Sequence, residues 1–247
     1  ILGIAMAISG LVLEDSRFVL SAHLQWNEID LKHILEDAVA LPVFIDNVSV
    51  LKAVWYFSQM DANSGDNVLY IDMNRGIGAV QYVGGEISRW TLGEVGHTTV
   101  KHDGPQCFCG NRGCLEAMCS GKRLMELYRE HSGLSLSSLS QLDRLYKKGD
   151  PAAQYAISDC GMYLGIGLAN LVNLFNPSAL VLNTGDFDDC PSLILEAEKE
   201  LRKRAYPVLT QGLIIKLINE SEEHILSGAA IHFCDRVFTV HFPGNIL

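Results

Sequence analysis

The chain has 247 residues, 48% hydrophobic and 19% charged, with a formal net charge of −10. It is long enough for a large core divided over two lobes, and its negative charge excludes nucleic-acid binding by these residues alone. No run approaches the roughly eighteen apolar residues of a membrane-spanning helix, and the apolar opening ILGIAMAISGLV lacks the basic stretch of a signal peptide.

Residues 2–8 read as a buried strand that turns at Ser9-Gly10. Helical spacing over 31–39 puts Leu31, Ile34, Leu35 and Val39 on one face. Residues 42–45 read as a short strand, and 49–60 as a helix with Ser49 as its N-cap. The polar break 62–66 is the candidate lobe boundary. A second unit opens with strands over 68–73 and 76–83, the latter followed by a hairpin turn at Gly84-Gly85. Helices are expected over 115–130, 138–147, 152–174 (with Pro151 at its start), 192–204 and 223–237, and strands over 179–182 and 213–218. Gly161, Gly165 and Gly167 suit close helix packing. Alternating strands and helices make this an α/β protein.

The most specific segment is GHTTVKHDGPQCFCGNRGCLE, residues 96–116. His97, Cys107, Cys109 and Cys114 supply four ligands suited to tetrahedral Zn²⁺. Four protein ligands leave no open position, so the expected zinc is structural. Gly104, Gly110 and Gly113 relieve a tight loop between them. The remaining thiols, Cys119, Cys160, Cys190 and Cys234, are scattered, which points to a reducing cytoplasm rather than a disulfide framework.

The pattern GH-x9-C-x-C-G-x2-G-C-x-E resembles the zinc motif of the ROK family of bacterial transcriptional repressors and sugar kinases. The resemblance extends from IAMAISGLV at Ile4, through VNLFNPSALVL at 172–182, to Gly228-Ala229-Ala230. It implies the actin-like (ribonuclease H-like) two-lobed fold with a ligand cleft between the lobes. Residues 1–66 would be the remainder of an N-terminal lobe, 67–233 a C-terminal lobe carrying zinc loop 97–116, and 234–247 a tail returning to the first lobe. Because Ile1 is not Met and opens a core strand, the resemblance also implies a fragment. The missing part would hold a first phosphate loop and, in the repressors, a helix-turn-helix domain.

The resemblance assigns sugar hydroxyls to Glu94, His97 and Glu116, with Gly10 and Asn47 beside them. A carboxylate accepts strong hydrogen bonds from hydroxyls, and a metal-bound imidazole keeps one nitrogen for the ligand. The kinases of the family carry an END-like run whose Asp is the general base. Here the run is Asp46-Asn47-Val48, and a valine cannot accept a proton. Asp46 could replace that base only through a local rearrangement. The GTGIGGG-like phosphate loop is reduced to Asn74-Arg75-Gly76-Ile77-Gly78, and the VLGGG-like turn becomes Val181-Leu182-Asn183-Thr184-Gly185-Asp186.

The expected protein is therefore the sugar-sensing and dimerisation part of a ROK-type regulator without kinase activity. It would bind a sugar or phosphosugar, contact DNA through a helix-turn-helix domain outside this chain, and form a homodimer or higher homo-oligomer. Alternatives are an ATP-dependent sugar kinase and a zinc-stabilised binding module with neither activity. Loss of a hydroxyl partner at Val48 predicts weak or altered sugar affinity.

Overall fold

The computed structural model describes residues 1–13, 15–21, 24–60, 67–74, 76–88 and 94–238, without the side chain of Asp186. Arg75, the break at 62–66 and the end of the tail, 239–247, lie outside the described residues.

The chain opens with β1 (Ile4–Ile8), β2 (Leu11–Val12), β3 (Phe18–Ser21), β4 (Trp26–Asn27), α1 (Leu31–Val39) and β5 (Val43–Asn47). β1 and β5 pair in parallel, and β2, β3 and β4 form an antiparallel sheet of their own. Ile8, Val12, Phe18, Leu31, Val43 and Ile45 make the core of this part. Two of the four residues expected on the apolar face of α1, Ile34 and Val39, are exposed, because nothing among the described residues covers them.

α2 (Val48–Ser58) follows β5 without a break. Its N-cap is Asn47, not Ser49, since the Asn47 side chain accepts from the Ser49 backbone N–H. Ser49 lies inside the first turn, where its hydroxyl donates to Asp72 at 3.0 Å.

Next come β6 (Asn67–Asp72), β7 (Gly78–Val83), β8 (Glu86–Ser88), α3 (Leu115–Cys119), α4 (Gly121–Ser132), α5 (Leu139–Lys147) and α6 (Pro151–Phe175). The chain continues with β9 (Ala179–Asn183), α7 (Pro191–Arg204), α8 (Pro207–Thr210), β10 (Ile214–Ile218) and α9 (Glu223–Phe238). Five strands form one sheet in the order β10-β9-β6-β7-β8, with the Gly84-Gly85 turn joining β7 to β8.

Strand alternation distributes this sheet's residues over two cores. Leu69 and Ile71 of β6 pack with α3 to α7, whereas Val68 and Tyr70 pack against Val50, Ala53 and Phe57 of α2. The expected single helix over 115–130 is broken at Ser120, whose backbone is extended and whose hydroxyl caps α4 by accepting from Arg123 N–H. The helix glycines pack as expected. A Cβ on Gly161 or Gly165 would lie 2.6 Å from an atom of α7, and one on Gly167 would lie 2.6 Å from Leu115 of α3.

Candidate functional site

The metal loop is built from local geometry. Thr99 bridges to Cys114 and Gln106 to Arg112, closing two short antiparallel turns. Gly113 takes φ +63, and any side chain there would strike the Lys101 carbonyl, so the turn requires glycine. The ligand atoms of His97, Cys107, Cys109 and Cys114 all lie within 4.8 Å of one another, and none of the cysteines is in a disulfide.

The spacing fits one ion. Zn–S bonds of about 2.3 Å at tetrahedral angles put two sulfurs roughly 3.8 Å apart, and a sulfur and a ring nitrogen roughly 3.6 Å apart. Cys109 Sγ lies 3.7 Å from Cys114 Sγ, and Cys107 Sγ lies 3.5 Å from His97 Nδ1. Burial and the neighbouring thiols push Cys114 up to about 12, so an ion held here would bind by displacing protons.

His97 has two faces. While Nδ1 meets the cysteines, Nε2 lies 4.0 Å from Glu94 Oε2 and faces a cavity of about 1110 Å³. Gly10, Asn47, Glu94, His97 and Glu116 all line that cavity. Glu116 stands in the first turn of α3, and its Oε2 accepts from Ile77 N–H at 3.1 Å. A Cβ on Gly76 would come within 2.8 Å of that oxygen and one on Gly96 within 3.3 Å. Two glycines thus open the slot in which the carboxylate sits.

The Asn47 side chain is committed to the framework. Its amide donates to the Gly10 carbonyl at 2.7 Å and its oxygen caps α2. Gly10 takes φ +145, with the space for a side chain filled by the Leu20 carbonyl, so it offers the cavity backbone only.

Val48, at the position expected for a base, is the first residue of α2 and lines the cavity. Asp46 also lines it, but its carboxylate is engaged elsewhere. Oδ1 accepts from Asn47 N–H at 2.8 Å and Oδ2 lies 2.9 Å from His232 Nε2 of α9. At the other end of the cleft Asn74 packs tightly on the turn at Gly185, and Asp72 is buried with Lys52.

Sequence reasoning missed several lining residues. Phe108 lies between two of the candidate metal ligands and packs edge-on against His97, with ring centroids 5.1 Å apart. Its place between Cys107 and Cys109 was a usable signal. Trp26, Lys52 and Asp72 also line the cavity, and nothing local in the chain marks them.

The α/β fold, its cleft and the Cys/His loop beside it are those of the actin-like ATPase fold in its ROK form. The ROK family model matches residues 1–235, and the chain belongs to the ROK family. The xylose repressor of Bacillus subtilis is 32% identical over 213 residues, covering 85% of this chain and 55% of the repressor. A glucokinase of Halalkalibacterium halodurans is 27% identical over 232 residues, covering 86% of this chain and 70% of the kinase. Among solved structures, a ROK family transcriptional regulator homologous to Escherichia coli Mlc superposes with a TM-score of 0.76 at 25% identity, over 93% of this chain and 61% of the regulator. The chain spans about half the length of the xylose repressors it matches. Among the described residues, no helix is long and apolar enough to cross a membrane.

Proposed function

We propose that this chain is the sugar-sensing part of a ROK transcriptional regulator and has no kinase activity. One observation carries the reading: the cavity that holds Glu94, His97 and Glu116 has Val48 where a sugar kinase needs a base. His97, Cys107, Cys109 and Cys114 would hold a structural Zn²⁺, which fixes the His97 tautomer and leaves Nε2 for a ligand hydroxyl. Glu94 and Glu116 accept further hydroxyl hydrogen bonds, Gly10 contributes backbone, and Asn47 keeps that backbone in place. Phe108 offers an aromatic face to the C–H side of a sugar ring.

The nucleotide half of the cleft supports the same reading. Asn74 fills the space over Gly185, where a nucleotide-binding turn would need room. The sugar would bind one arrangement of the lobes better than the other and so shift a homodimer between DNA-binding states. DNA contact would come from a helix-turn-helix domain outside these residues.

The test is operator binding by the full-length protein, followed by fluorescence anisotropy against a panel of free pentoses and hexoses and their phosphates. One sugar should change operator affinity, and Glu94→Ala should remove that response while operator affinity without sugar stays the same. A protein whose operator affinity no sugar changes would have another signal, and the sensing role would fall.

A further inference from the structure

We propose that His232 is a positioning residue for the ligand cleft, acting through Asp46 on the Gly10–Asn47 contact; this rests on the sugar-sensing reading above. α9 is fastened at two places. Toward its N-terminus it packs on α2, so closely that a side chain on Gly228 would run into the Leu51 carbonyl. Toward its C-terminus Phe233 packs edge-on against Phe44 of β5, with centroids 5.1 Å apart. His232 sits between these two anchorages and is 7% exposed.

From there the polar contacts run in one line to the cleft. His232 Nε2 lies 2.9 Å from Asp46 Oδ2, Asp46 Oδ1 holds Asn47 N–H, and Asn47 holds both Gly10 and the start of α2. Nε2 finds no hydrogen-bond partner of regular geometry, so the short contact to Asp46 is an electrostatic one that is not well aligned. A small shift of α9 relative to β5 would align it. A ligand contact at Gly10 draws on the backbone that Asn47 holds, so occupancy of the cleft and alignment of this contact are coupled. A buried carboxylate requires such a partner, and losing it releases the strand that presents Asn47.

The test compares His232→Leu, His232→Gln and Phe233→Leu in the full-length protein. Phe233→Leu is the control, since it weakens α9 packing and leaves the polar line intact. Two readouts are taken: affinity for D-xylose and D-glucose by calorimetry, and amide hydrogen exchange at Asn47–Ser49 without sugar. His232→Leu should weaken the sugar bound by the parent by about tenfold, the scale of one lost charge-assisted hydrogen bond, and His232→Gln should restore most of it. Phe233→Leu should lower the melting temperature without that loss of affinity. Wild-type affinity in His232→Leu would overturn the proposal. If the parent binds neither sugar, the sensing of these sugars fails and exchange decides: faster exchange at Asn47–Ser49 in His232→Leu than in Phe233→Leu supports the positioning role, and equal exchange overturns it.

Discussion

Replacing Cys114 by Ser should strip the metal from this protein and lower its stability by at least about 3 kcal/mol, about 10 °C in melting temperature for a chain of this size. Cys114 is fully buried, and its Sγ lies 3.7 Å from Cys109 Sγ. A serine hydroxyl at that place is a poor zinc ligand, and three ligands in a loop rich in glycine would not hold the turns that bring them together. The consequence extends beyond the loop. Leu115, the next residue, is 1% exposed in the large core, and Glu116 enters the cleft from the same turn of α3. Zinc analysis and thermal melts, with and without chelator, check the prediction. A Cys114→Ser protein that keeps stoichiometric zinc and the parental melting temperature would contradict it. Acid should act in the same direction, because the ion needs thiolates and competing protons displace it as the pH falls.

Lys52→Met should cost about 3–5 kcal/mol, the loss expected when one partner of a buried ion pair is removed. Lys52 Nζ lies 3.1 Å and 3.2 Å from the two Asp72 oxygens, and the side chains are only 3% and 4% exposed. Asp72 also accepts from Ser49 and from Asn183 at 3.0 Å each, which ties α2 to the ends of β6 and β9. Without Lys52 the carboxylate stays buried with neutral donors alone. The double variant Lys52→Met with Asp72→Asn should recover most of the loss, since the amide removes the unpaired charge and retains an acceptor. Urea melts of the three proteins test this. A Lys52→Met protein within about 1 kcal/mol of the parent would show that water reaches the pair and that the pair does not hold α2 in place.

What the chain disclosed before its structure was known divides by sequence distance. The metal loop was legible because its ligands, turns and glycines are neighbours. Gly113 requires its φ of +63 for reasons contained within the loop. The helix glycines were legible too, because only close packing explains Gly161 and Gly165 inside a long helix. Local competition hid other features. Asn47 and Ser49 are both good caps, and Asn47 took the role while Ser49 turned to Asp72. The break at Ser120 was hidden because Cys119 and Leu124, on either side of it, both belong to the core and mimic one continuous face. β2, β3 and β4 were missed because strands of two to four residues leave no period to count. The Asp46–His232 and Lys52–Asp72 pairs could not be read at all, since a lysine on an apolar helix face declares its partner only once the sheet is assembled.

In the proposed regulator the cleft would bind sugar and carry out no phosphoryl transfer. The most direct measurement is one experiment on the full-length protein: calorimetric titration with free pentoses, hexoses and N-acetyl-hexosamines and their phosphates, with ATP turnover followed on the same samples in Mg²⁺. Saturable binding of a sugar with no ADP formed above background is the predicted result. Sugar-dependent ADP formation would contradict it and would require a base in a cavity that offers Val48 at that position and an Asp46 already held by His232.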